Sequence, residues 1–252
     1  MDVERLAEDI FEGIKSVIDS NCDAGTLKEL ESNAEKLFTY YKENNFERDY
    51  DVEDVLLDFN KFEEISELVN DGMWDGRGEN PTDCVGLLEV IFKYICPLES
   101  YFEIMLACNP NTPIEILREL AKSDFWDEEH STTQSLAQYT SDSDLLELLS
   151  LSPHGATKWM LAKNPATSSQ TLDKLASDSG YAGYMLSNGE RDSGIFVQAE
   201  VISNPNTMVE TLERIANGKC EIIADDYWSD EEELKAINLE LQDLARERIA
   251  SE

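Results

Sequence analysis

Positive charge is scarce in this chain. Its 252 residues include 20 Lys and Arg against 54 Asp and Glu, with 2 His, for a formal net charge of −34. Attraction to nucleic-acid phosphates or to an anionic bilayer needs a surplus of Lys and Arg, so neither is an expected direct partner. A basic protein is. Long apolar runs are also missing: there is no stretch of roughly 18 apolar residues, the length a membrane helix needs. The opening "MDVERLAEDIFEGIK" is acidic and amphipathic rather than basic with an apolar block, which points to a cytoplasmic chain with no membrane contact. The five cysteines, Cys22, Cys84, Cys96, Cys108 and Cys220, are odd in number and widely spread. A chain this long does not depend on staples, so reduced buried thiols are expected.

Catalytic equipment is equally thin. His130 and His154 are the only near-neutral bases. There is no Gly-x-Ser-x-Gly elbow, Gly-rich phosphate loop, His-Glu-x-x-His or cysteine metal pair. Among 54 carboxylates, pairs arise by chance. The expectation is a non-enzyme with no cofactor and no metal. One stretch, "DSNCDAGTLKELE" from Asp19 to Glu31, spaces its oxygens like a calcium loop. In a working loop the Gly falls sixth and the bidentate Glu twelfth; Gly25 and Glu31 each come one residue late, which favours a helix-to-helix turn capped by Asp23 or Thr26.

Apolar periodicity is abundant. Hydrophobic residues make up 41% of the chain. Val3, Leu6, Ile10, Phe11, Ile14 and Ile18 recur at helical spacing, as do Leu27, Leu30, Ala34, Leu37, Phe38 and Tyr41, and Asp51 to Val69 forms a third such run. Each has an acidic opposite face. "NDGMWDGRGENP", from Asn70 to Pro81, is the clearest break. Residues 1–71 then form an acidic helical domain and 72–82 a linker. Acid is densest at the two ends, with 21 acids to 7 bases over residues 1–71, 22 to 10 over 72–220 and 11 to 3 over 221–252.

Beyond the linker the chain repeats itself. "LACNPNTPIEILRELA" (Leu106 to Ala121), "LAKNPATSSQTLDKLA" (Leu161 to Ala176) and "VISNPNTMVETLERIA" (Val201 to Ala216) align without a gap. In each, two apolar residues precede an Asn-Pro-x-Thr turn, and three more follow at i, i+3 and i+4, one stripe of a helix. Asn before Pro is pushed out of the α region and stops the preceding helix. Thr112 with Glu115, Thr167 with Gln170 and Thr207 with Glu210 have the spacing of capping boxes, and Pro113 suits the first helical position. Weaker copies are "NPTDCVGLLEVI" from Asn80 and "LAQYTSDSDLLELL" from Leu136, the latter capped by Ser141 or Ser143. A unit of this length implies neighbours that bury their faces against one another. "SDEEELKAINLELQDLARERI", from Ser229, reads as a long helix opened by a Ser229–Glu232 capping box, with Arg246 and Arg248 at its negative end.

The unit L-A-x-N-P-x-T-x-x-x-x-L-x-x-L-A resembles the leucine-rich repeat variant family, an all-helical solenoid of alternating α and 3₁₀ helices related in shape to armadillo and HEAT arrays. The resemblance implies an all-α fold in which residues 83–220 form a short right-handed solenoid and residues 221–252 a capping helix. It also implies a binding scaffold rather than chemistry. The family's founding member carries an iron–sulfur cluster on a cysteine-rich N-terminal module; no Cys-x-x-Cys occurs here, so that cofactor is not carried over.

Two acid-ringed aromatic clusters complete the sequence: Trp126, Asp127, Glu128 and Glu129, and Asp225, Asp226, Tyr227, Trp228, Asp230 and Glu231. Either they are lids packed between units, or they are anchors that stack on a partner's Arg side chains. The expected function is a non-catalytic acidic inhibitor that imitates nucleic acid and blocks a basic nucleic-acid-handling protein, such as a nuclease, in an anti-defence or immunity role. The alternative is a general helical-repeat scaffold binding a peptide or subunit.

Overall fold

The computed structural model describes residues 3–43, 59–70, 81–98, 100–123, 131–177, 197–221 and 231–251. It is all-α, with no strand among the described residues. The chain divides into two compact units, Met1–Phe125 and Trp126–Glu252.

The first unit begins with α1 (Val3–Asp19) and α2 (Ala24–Glu43), which pack as a pair. Leu6, Ile10, Ile14 and Val17 on α1 are buried, as are Leu30, Ala34, Leu37 and Tyr41 on α2. The middle of each stripe follows the spacing read from the sequence, but Val17 is buried where Ile18 was expected, and Val3, Ile18, Leu27 and Phe38 are half-buried. Gly13 allows the close approach, since a Cβ there would stand 3.1 Å from Leu30 Cδ1. Asp19–Glu31 is a helix-to-helix turn. Asn21 and Cys22 take left-handed conformations (φ 53° and 61°), and their N–H groups donate to Ile18 O and Val17 O, closing α1. Asp23 then caps α2, its carboxylate accepting from Gly25 N at 2.9 Å and Thr26 N at 3.1 Å.

Next come α3 (Phe59–Asn70), α4 (Val85–Val90) running into a π-helical turn at Ile91–Ile95, α5 (Tyr101–Cys108) and α6 (Ile114–Leu120). α5 is buried almost all round, from Phe102 to Cys108, and packs against α3, the π turn and α6. Reduced thiols were expected throughout; instead Cys22 and Cys84 are disulfide-bonded, 62 residues apart in sequence, with Cα atoms 5.8 Å apart. The α1–α2 turn delivers Cys22 to the start of α4, a juxtaposition that sequence spacing does not reveal. Cys96, Cys108 and Cys220 are free and buried.

The second unit is a succession of helix pairs: α7 (Thr132–Tyr139) with α8 (Ser143–Leu149), α9 (Gly155–Lys163) with α10 (Ser169–Ser177), and α11 (Val197–Ser203) with α12 (Val209–Ala216). The first helices of the pairs stack in order, α7 on α9 on α11, while α10 meets α12 in a second row. α13 (Glu231–Ser251) lies against α11 and α12, with Leu234, Leu241 and Ala245 buried. The repeat resemblance implies a 3₁₀ helix in each unit; α8, α10 and α12 are α-helical. The expected cap at Ser229 lies outside the described residues. So does most of the 72–82 linker, of which only Pro81 and Thr82 are described.

Candidate functional site

The Asn-Pro-x-Thr turns are recurrent buried polar features among the described residues, so they are the first place to look for a site. The buried Asn and Thr side chains in them prove to be committed to the backbone. Asn164 Nδ2 donates to Ala137 O and Thr140 O, both at 2.8 Å, the carbonyls left over where the preceding unit's helix ends. Asn204 Nδ2 repeats this on Ala162 O at 2.8 Å and Asn164 O at 3.0 Å. Asn109 Nδ2 does so on Val69 O at 3.0 Å. In each case the same amide's oxygen accepts from the N–H two residues on, at Asn111, Ala166 and Asn206. All three side chains are buried. The second Asn adds a further tie where it is present: Asn206 Nδ2 reaches Pro165 O at 2.7 Å and Thr167 O at 3.0 Å.

The Thr residues are not capping boxes. Thr112 and Thr167 donate their hydroxyls backwards to Leu106 O and Leu161 O at 2.7 and 2.6 Å, and Thr207 donates to Val201 O in the same way. The reason is positional. The helix starts one residue later than the boxes require, so the N-cap positions of α6 and α12 are Pro113 and Met208, neither with a side-chain cap bond. Ser168 supplies the cap of α10, its hydroxyl accepting from Thr171 N at 3.1 Å. Pro113 is therefore the N-cap residue rather than the first helical one. In the weaker copy from Leu136, Asp142 caps α8, where Ser141 or Ser143 was expected, accepting from Leu145 N at 2.8 Å.

Two places remain that are not absorbed by the fold. The first is the carboxylate surface. Several of the described cations are engaged by acids: Lys15 with Glu64 at 2.5 Å, Lys93 with Glu31 at 3.8 Å, Lys174 with Glu147 at 2.6 Å, and Arg214 with Asp173. The Glu64 carboxylate holds the Lys15 ammonium above its usual range. Other acids stand at exposed positions, among them Asp9, Glu35, Asp144, Glu213, Glu240 and Glu247.

The second is a groove of ≈ 400 Å³ in the first unit, lined by Leu27 and Glu31 of α2, Gly86, Glu89 and Val90 of α4, Phe92 and Lys93 of the π turn, and Ile116 of α6. Gly86 is what lets α4 come so near α2, because a Cβ there would fall 2.5 Å from Leu27 Cδ2. The π turn is marked by Cys96 N bonding Ile91 O at 2.9 Å, five residues back. Lys93 Nζ stands 4.5 Å above the Tyr94 ring, and the Tyr94 side chain, then Glu31 and Glu35, raise its pKa against the opposing effect of burial. Sequence reading missed this groove. "VGLLEVIFKYI" carried one usable signal, a glycine inside an apolar helical run.

Of the aromatic–acid clusters, Trp126, Asp127, Glu128, Glu129, Asp225, Asp226, Tyr227, Trp228 and Asp230 lie outside the described residues, while Glu231 opens α13. Among the described residues no group of three or more His, Cys, Asp or Glu side chains is placed to hold a metal ion, and no helix is long and apolar enough to cross a membrane. Compared with protein-family models, with curated proteins and with solved structures, the chain matches none.

Proposed function

We propose that the chain is a non-catalytic, acidic helical-repeat protein of the leucine-rich-repeat-variant type that binds and blocks a basic, nucleic-acid-handling protein. The observation that carries this reading is the acid surplus: a net charge of −34 over the chain, with several of the few cations, Lys15, Lys93, Lys174 and Arg214, already paired with neighbouring carboxylates. Duplex DNA presents about one negative charge per 1.7 Å of axis, and stacked helices edged with carboxylates offer a basic cleft negative charge of the same kind. Such a field steers encounter and makes association fast and sensitive to salt. The turns support a scaffold role, since their polar atoms are used in joining one unit to the next.

The test is the salt dependence of the complex. Affinity for the partner should fall steeply as NaCl is raised through and beyond physiological strength. A partner held with unchanged affinity over that range would favour a neutral repeat scaffold, with the charge serving solubility alone.

A further inference from the structure

We propose that the groove between α2, α4 and α6 is a docking site for an amphipathic, cationic segment of the protein partner, with one apolar side chain inserted between Leu27 and Phe92. This rests on the reading of the chain as an acidic binder of basic proteins, and it adds where on the first unit that binding is anchored.

Three observations converge. The groove is apolar in its walls, with Leu27, Val90, Phe92 and Ile116, and its volume of ≈ 400 Å³ falls in the range of sites that take a side chain or small ligand. Its lining carries two carboxylates, Glu31 of α2 and Glu89 of α4, and among the described lining residues the one cation, Lys93, is already engaged by Glu31 at 3.8 Å and by the Tyr94 ring. An apolar slot to which two helices each add a carboxylate is complementary to a helix face that carries Leu or Phe between Lys and Arg, and complementary in charge to no acidic or neutral segment. Finally, the wall that carries Phe92 and Lys93 is the π turn, whose extra residue per turn shifts these two side chains relative to a continuous α-helix. The irregularity and the groove therefore share residues.

The probe is a fluorescently labelled amphipathic peptide of Leu and Lys, about four helical turns long, compared with a peptide of equal charge in which every Leu is Ser. Both are titrated into the full chain at low salt. The Leu/Lys peptide should bind at least about tenfold more tightly than the Ser/Lys peptide. Phe92→Ser, at a half-buried position, should erase that advantage and leave the Ser/Lys affinity unchanged. Leu27→Ser on the opposite wall should do the same, so loss of fold in one variant leaves the other to decide. Glu89→Lys, at an exposed position, should weaken both peptides and keep the ratio between them. Equal affinity of the two peptides for the native chain, or an advantage that survives both wall variants, overturns the groove while leaving the acidic-binder reading standing. Failure of the Ser/Lys peptide to bind at all at low salt overturns the acidic-binder reading itself.

Discussion

Asn204 Nδ2 donates to the backbone oxygen of Asn164 at 3.0 Å, while Asn164's own amide group reaches back to Thr140 O at 2.8 Å. Asn164 thus serves the helix end before it and is itself the backbone acceptor for Asn204. A buried amide that satisfies two orphan carbonyls and one N–H has no apolar substitute, since every group left behind costs about 1–3 kcal/mol. Asn164→Ala should destabilise the protein by about 2–4 kcal/mol in urea unfolding followed by circular dichroism. Asn164→Asp should cost at least as much, because a carboxylate sets acceptor against acceptor. A loss below about 0.5 kcal/mol would remove the ladder from the list of stabilising features.

The Thr hydroxyls give a sharper discrimination. If Thr167 capped α10, Gln170→Ala would be costly; with the hydroxyl bonded to Leu161 O, Gln170→Ala should change stability by less than about 0.5 kcal/mol. Thr167→Val should cost about 1–2 kcal/mol and Ser168→Ala about 1 kcal/mol, since Ser168 is the cap. The three variants are read against each other in one unfolding series.

That pair of residues also shows what was legible in the sequence. The 16-residue unit, its buried stripe and its position between helices were all readable, because apolar spacing and Asn-Pro geometry are local. Leu161, Ala162, Leu172, Leu175 and Ala176 are all buried as the pattern requires. The jobs of Asn164 and Thr167 were not readable, because their partners, Ala137 O and Leu161 O, lie in another unit or behind the helix, and a one-residue shift in helix start moves the cap from Thr167 to Ser168. In the first copy Leu117 and Ala121 are only half-buried, a departure from the stripe that no local signal announces. The groove depends on α2, α4 and α6 meeting, a contact of sequence-distant elements, and only Gly86 hinted at it.

The Cys22–Cys84 bond makes a chemical prediction. Under denaturing, non-reducing conditions, three thiols of the five cysteines should react with a chromogenic disulfide reagent, rising to five after reduction. Because the bridge closes a long loop, reduction or Cys22→Ser should lower stability by about 2–4 kcal/mol. Five reactive thiols before reduction would show the pair to be unbonded in the isolated protein.

Charge should also mark stability. With a net charge of −34, self-repulsion opposes the compact state, and exposed ion pairs such as Lys174–Glu147 offset little of it. Adding about 0.15 M NaCl to a low-salt solution shortens the screening length to about 8 Å, so the melting temperature should rise by several degrees. A melting temperature that falls over that interval would mean that attractive pairs outweigh the repulsion.

The most direct test of nucleic-acid mimicry is displacement. The full chain is immobilised at low salt, a basic nucleic-acid-binding protein is captured from lysate, and duplex DNA or NaCl is added in steps while the eluate is identified by mass spectrometry. The predicted result is that duplex DNA releases the captured protein, and that NaCl does the same by about 0.5 M, because carboxylates and phosphates occupy one basic surface. A captured protein that stays bound under saturating DNA, and through the same salt steps, would contradict it.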